Sequence, residues 1–382
     1  AIVFRNLPTD ATIWKSGNNF TAELKSESVG PQHPQQALQP YEHGYTTGTP
    51  SGTPINSGSE FQGLFSRTGT IEAGDTGTYY LTDDIVITGF TGKQFAGTLD
   101  GNGHTIYIAA SDTALSGAGD ATTGFAVGGL VGVLTGTIKN VRVVIDADIT
   151  VGLDSNKKGR IGGVVGRLNG GTLDNVQVVI PSDVTISHNT TGDNDSGMGG
   201  VVGQALGASF IKNVTVQMDG TLAPVGTWTF VSALVAEVPT KNGTPTIDMD
   251  NIIVRGKGTF AAEATRGGTD EPPYVSALAN FNNQKGNEIV NLDGLIYDFK
   301  PTISGGGASA YGIFVNNWSK GDPDTYGAYV TTSNMFQMFG KEYKAVENGG
   351  KYAGNAPVPL DGELKTINTS VTGVDGATVA AY

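Results

Sequence analysis

The string GGLVGVLTGTIKNVRVVI, beginning at Gly128, returns as GGVVGRLNGGTLDNVQVVI from Gly162 and as GGVVGQALGASFIKNVTVQM from Gly199. Fainter copies follow, VSALVAEVPTKNGTPTIDMDNIIV from Val231 and VSALANFNNQKGNEIVNLDGLIY from Val275. A chain that repeats at a period of about 35 to 45 residues buries its apolar faces by stacking each unit on the next. Its 382 residues therefore count repeats rather than separate globular domains.

The second half of each copy says what is stacked. Val141, Val143 and Ile145 alternate with Arg142 and Val144, and the same pattern recurs at Val176, Val178 and Ile180 and at Val214, Val216 and Met218. A period of two is a strand with one face buried. Just before these strands stand Asn140, Asn175, Asn213 and Asn251, and the fifth copy puts Gly294 there. Asn and Gly share a tolerance for the left-handed backbone region, so this position predicts a fixed turn. In stacked coils the asparagine amides would hydrogen-bond along the stack, as a structural turn ladder rather than a ligand row. The paired glycines Gly128-Gly129, Gly162-Gly163 and Gly199-Gly200 lack the lysine and helix of a phosphate loop, and read as close packing of coils.

These strings resemble the GLUG repeat of bacterial surface proteins, well over residues 128 to 218 and weakly over 231 to 297. TGTYYLTDDIVITGFTGKQFAGTLDGNGHTIYI, from Thr76 to Ile108, is similar to the entry segment that precedes such repeats. The resemblance implies a right-handed parallel β-helix and an extracellular setting, and it carries over no catalytic residue.

Composition agrees with an all-β chain. Glycine supplies 57 residues while charged residues make up 15%, too few for long amphipathic helices. A net charge of −13 repels phosphate backbones, so nucleic acid is not an expected partner. The absence of cysteine excludes disulfides, thiolate metal sites and thiol nucleophiles. No segment reaches the length of apolar residues that a membrane-spanning helix needs. The chain opens at Ala1 with no basic and apolar leader, which gives the expectation of a secreted protein whose signal peptide has been removed.

The ends depart from the repeat. Ile2, Val3, Phe4 and Leu7 form a short apolar run ended by Pro8, and a tract rich in Pro, Gly, Gln, Thr and Ser extends from about Val29 to Ser59. An apolar strand on such an arm must be covered. It either caps its own solenoid or inserts into the next protomer, and a head-to-tail insertion does not close, so it builds a fibre. At the other end Tyr326, Tyr329, Met335, Phe336, Met338, Phe339, Tyr343 and Tyr352 cluster, as a cap over the solenoid or as an aromatic platform for sugars or a partner.

Residues suited to catalysis or metal binding do not fall into working patterns. Asp83, Asp84, Asp100, Asp146, Asp148 and Asp183 do not recur in register as the two carboxylates of a glycosidase would. His33, His43, His104 and His188 show no HExxH spacing, and no GxSxG elbow occurs. GDNDSG around Asp193 lacks the downstream bidentate Glu of a calcium loop. Thr-x-Thr pairs such as Thr135 with Thr137 do not repeat once per coil, as an ice-binding face would require. Glycosylation sites are predicted at Asn189 and Asn194 in a polar loop, and at Thr49 and Thr53 in the Thr-Gly-Thr-Pro tract.

The sequence thus predicts an N-terminal arm over 1–60, a parallel β-helix over 61–320 and an aromatic cap over 321–382. The predicted function is a non-catalytic, cofactor-free subunit of a bacterial extracellular filament or surface layer, with Ile2, Val3, Phe4 and Leu7 as its assembly element and another copy of itself as partner. The alternatives are a monomeric adhesin that binds glycans or cells, and a polysaccharide-active enzyme.

Overall fold

The computed structural model describes residues 49–66, 69–109, 112–114, 125–152, 158–189, 195–240, 247–264, 273–283, 290–299, 301–305, 311–316 and 330–337. Strands are numbered in chain order. One full coil runs through β10 (Thr137–Ile145), β11 (Ile149–Gly152), β12 (Lys158–Gly162) and β13 (Val165–Asn169). The next runs through β14 (Thr172–Ile180), β15 (Thr185–Asn189), β16 (Ser196–Gly199) and β17 (Val202–Leu206), and a third through β18 (Phe210–Met218), β19 (Thr221–Gly226), β20 (Thr229–Ser232) and β21 (Val235–Thr240). Each strand pairs in parallel with its counterpart one coil on, for example Val141 with Val176 and Val176 with Val214. The chain is a parallel β-solenoid with three stacked sheets.

The first sheet holds β10, β14 and β18 and extends to β1 (Thr53–Ile55), β2 (Thr78–Leu81) and β5 (Thr98–Asp100) on one side. It extends to β22 (Ile247–Gly256), β25 (Val290–Phe299) and β28 (Val330–Gln337) on the other. Between its outer rungs, β3 (Ile85–Ile87) pairs with β6 (Thr105–Ile108), which pairs with β10. The second sheet holds β11, β15 and β19, flanked by β7 (Asp112–Ala114) at one edge and by β23 (Thr259–Ala264) and β26 (Thr302–Gly305) at the other. The third stacks β8 (Phe125–Gly128), β12, β16 and β20 beside β4 (Gln94–Phe95), β9 (Val131–Leu134), β13, β17 and β21. The long β24 (Tyr274–Asn283) joins the two columns by pairing with both β20 and β21, and β27 (Tyr311–Asn316) pairs with β24.

One large apolar cluster runs through the described coils. Ile138, Leu173, Ile211, Met249 and Leu292 form one row, and Val143, Val178, Val216 and Val254 another. Like side chains stack on like, because register-locked parallel coils repeat the same pleat. Each fully buried aliphatic adds roughly 1.5–3 kcal/mol. Towards the β1 end, α1 (Gly58–Phe65) buries Phe61 and Phe65, and Phe65 lies 5.2 Å edge-on to Phe95 of β4. Its start is fixed by Ser57, whose Oγ accepts from Glu60 N–H at 3.2 Å, while Glu60 Oε2 accepts from Asn56 N–H at 2.8 Å.

Three expectations change. Among the described residues the stack begins at Thr53, inside the segment assigned to the arm; a three-residue strand is too short to show a period of two. Residues Val330–Gln337, assigned to the cap, instead form β28, a further rung of the first sheet. The alternation in the first sheet predicts strands with one buried face, yet Arg142, Val144, Gln177, Val179 and Thr215, which alternate with the core residues, are buried as well. The arm's residues 1–48 and the rest of the aromatic cluster, including Tyr326, Tyr329, Met338, Phe339, Tyr343 and Tyr352, lie outside the described residues.

Candidate functional site

At the ladder position, Asn140, Asn175, Asn213 and Asn251 have φ of 52°, 55°, 52° and 54°, and Gly294 has 91°. Each kinks one long strand of the first sheet rather than separating two strands. Asn175 Nδ2 donates to Asn140 Oδ1 at 3.0 Å, and Asn251 Nδ2 to Asn213 Oδ1 at 3.0 Å. The row is not continuous amide to amide: Asn213 Nδ2 donates to Asp174 Oδ1 at 2.8 Å, and Asn140 Nδ2 to Asp100 Oδ1 at 3.0 Å. One rung earlier the DGNGHT turn places Asn102 at φ 51° with its Nδ2 on Leu81 O at 3.1 Å, so this string is a ladder member in longer form. Beside the asparagines, Asp100, Lys139, Asp174, Lys212 and Asp250 alternate in sign in register. Lys139 lies 3.2 Å from Asp100 and Lys212 3.6 Å from Asp250. The alternation ends at Asp250, where burial first and then Asp248 and Asp293 push the carboxyl pKa up against the opposing pull of Lys212.

A second set of polar groups has no counterpart among the sequence expectations. Gly162 and Gly163 fold β12 against β13, and the backbones approach so closely that a Cβ on Gly203 would lie 2.5 Å from Ile161 N, and one on Gly166 2.7 Å from Gly128 N. Beside this close approach Arg160 Nε reaches Glu237 Oε2 at 2.5 Å. Gln204 Nε2 donates to the same oxygen at 2.6 Å, and Arg167 Nε donates to Gln204 Oε1 at 2.8 Å. Arg160 Nη1 also donates to Gly159 O at 2.7 Å, and Lys158 pairs with the Asp195 carboxylate. Arg160 crosses the intervening coil over Gly197, where a Cβ would stand 3.1 Å from its Cδ. Arg160 and Glu237 are each 1% exposed, so this is a buried ion pair spanning three coils.

His188, also buried, has Nε2 2.8 Å from Ser196 Oγ. Burial, reinforced by the Arg160 charge, pushes its pKa down to about 3, so the ring is neutral at ordinary pH. With no carboxylate bonded to it among the described residues, this pair is not a nucleophile and base in triad form.

The network's chemistry is adhesion between coils. A buried ion pair adds little net stability, since desolvation offsets its attraction, but a buried charge left alone is severely destabilising. The network ties β12, β13, β17 and β21 to one another across three successive coils. Its sequence signal is the pair of arginines at Arg160 and Arg167, where sister repeats carry Val127 and Val133 in register.

Of the predicted modification sites, Thr49 and Thr53 are exposed, Asn189 ends β15, and Asn194 lies outside the described residues. The Asp195 carboxylate of the calcium-like loop is already neutralised by Lys158. No group of three or more metal-ligating side chains is found among the described residues, and none of their helices is long and apolar enough to cross a membrane. Ile2, Val3, Phe4 and Leu7 lie outside the described residues. No protein-family model matches this chain, and neither does any curated protein or solved structure.

Proposed function

We propose that the protein is a non-catalytic structural subunit of a bacterial extracellular filament or surface assembly, related to GLUG-repeat surface proteins, that polymerises when the Ile2, Val3, Phe4 and Leu7 strand of one copy inserts into the next. The observation that supports this reading is where the buried polar groups are directed. Arg160, Arg167, Gln204 and Glu237 bond to one another from coil to coil, and the ladder asparagines bond to groups on neighbouring coils. Such wiring suits a load-bearing rod, whereas a catalytic groove keeps charged groups free to meet substrate.

The flanking sequence supplies the assembly step. An apolar strand that ends at Pro8 and sits on a Pro- and Gly-rich arm has the composition of an exchangeable element. Exchange of an identical segment between copies costs little, because the packing given up within one copy is restored in the next. Deleting residues 1–8 should leave the solenoid folded by circular dichroism and reduce the light-scattering mass to that of a single protomer. Undiminished high-mass species from the deleted chain would reject this mechanism.

A further inference from the structure

At the β1 end of the stack, the edges and the interior are closed by separate devices. In a parallel ladder a residue turns its N–H and C=O to the same neighbour, and the next residue turns to the other side. Ile55 O accepts from Thr82 N–H at 3.0 Å, so Thr53 and Ile55 face β2 and Pro54 alone faces the free edge of β1. Pro54 has no N–H to offer a further strand, and both it and Thr53 are exposed. The edge of β3 is covered by α1. No Cβ would fit on Gly58, which lies against Val86 O, and Gln62 Nε2 donates to Thr88 Oγ1 at 2.6 Å and to Thr88 O at 3.3 Å. At the end of β4, Ala96 N–H donates to Asp75 O at 3.0 Å. Between β1 and β2 neither the second nor the third sheet has a described strand, and α1 stands in their place. Its Phe61 and Phe65, stacked at 4.5 Å, are fully buried with Ile71, and Phe65 meets Tyr79 at 5.9 Å, an aromatic plug in the first coil. The other end differs: Ile303 of β26 continues the core row of Ile186, Leu222 and Phe260, yet it is 37% exposed.

We propose that the β1 end is a built-in stop, a surface that refuses a second copy of this chain, so that no copy stacks its coils on β1 or adds a strand to it. The inference goes beyond the strand exchange proposed above and stands apart from it, since it concerns the end through which copies do not join. An edge strand of three residues with no outward N–H gives an incoming strand one carbonyl to bond, and edges blunted by proline or covered by a helix resist pairing. Charge acts in the same direction. Glu60, Glu72, Asp83 and Asp84 are exposed, and no lysine or arginine stands among the described residues from 49 to 92. In a chain of net charge −13, this surface repels other copies, most strongly at low ionic strength. Coil-on-coil growth needs two open ends; with one closed, contact through the other stops at a pair.

Because the chain has no cysteine, one substitution reports on this surface. In the full chain, Thr53→Cys puts a thiol on the exposed edge, and a maleimide carrying a long polyethylene glycol should label it at the same rate in dilute protein, in concentrated protein and in any fibres. Labelling slowed severalfold on concentration or in fibres would show copies meeting at β1 and overturn the proposal. Adding Pro54→Val and Phe61→Ser to the Thr53→Cys chain restores the outward N–H and opens the plug. Labelling should then slow severalfold on concentration, while sedimentation shows species heavier than one protomer. A folded, opened chain that labels as fast as the closed one at every concentration would mean that Pro54 and α1 do not keep copies apart, and the proposal falls. Should the opened chain fail to fold, Pro54→Val alone leaves α1 in place and should give the same slowing to a smaller extent; no slowing overturns the proposal. Fibres with a protected thiol would refute the stop and leave polymerisation standing, and a freely labelled thiol with no fibres at any concentration would do the reverse.

Discussion

At the ladder position, the backbone conformation decides which residues fit. A non-glycine residue in the left-handed region costs roughly 1–2 kcal/mol, which Asn tolerates better than most through its short polar side chain. Asn175→Ala should therefore destabilise the chain by about 2–3 kcal/mol, combining backbone strain with the lost bond to Asn140. Asn175→Gly keeps the φ of 55° without strain and should cost only about 0.5–1.5 kcal/mol. Denaturant unfolding of the two variants checks this order, which inverts what strand propensity alone would give. His188 adds a pH dependence. Its folded pKa of about 3 lies below the ordinary 6.5, so the unfolded chain takes up the proton first. The stability this group contributes is complete above about pH 6.5 and drains at about 1.4 kcal/mol per unit as pH falls towards 3. A His188→Asn chain should lose about 2–3 kcal/mol less than the parent between pH 7 and 4.5, measured as the difference in unfolding free energy.

Among the elements, the corner formed by β12, β13, β16, β17 and β21 is the most sensitive. Glu237→Ala removes the carboxylate at Arg160 Nε and leaves the more distant Asp195 carboxylate, 4.0 Å from Nη2, and should cost about 3–5 kcal/mol. Replacing both partners, Arg160→Met with Glu237→Met, should cost less than the single change, and a double-mutant cycle in thermal unfolding measures the coupling. Gly203→Ala should be more damaging still, since its methyl would meet the backbone of Ile161 rather than a side chain able to move. These features differ in how far the sequence discloses them. The ladder strands are legible because Val141, Val143 and Ile145 repeat on a period of two, and the left-handed turn because Asn and Gly exchange at one position. The Arg160–Glu237 pair is not legible: its partners stand 77 positions apart, on coils that are two apart in the stack, and no local pattern encodes that pairing. Nor is α1, which starts at the end of the turn-forming tract, carries Gly58 and Gly63 in only eight residues, and is held by Phe61 and Phe65 packing on the core.

Across the whole molecule, the solenoid stores its information along one axis. Neighbouring coils supply nearly equivalent cores, and the charged network of Arg160, Arg167, Gln204 and Glu237 distinguishes one coil from another. The class of fold follows from repetition, which the copies at Gly128, Gly162 and Gly199 reveal; the burial of Arg142, Val144 and Gln177 does not, because alternation within a strand is silent about a second cover. A parallel solenoid has a strand edge at each end of its stack, and a polymer built by the proposed segment exchange would give each copy a fixed neighbour. The most direct measurement is electron microscopy of the full native chain under conditions in which it is folded. The account predicts unbranched fibres of uniform width, lost when residues 1–8 are removed. Dispersed rods one protomer long at every concentration tested would contradict it.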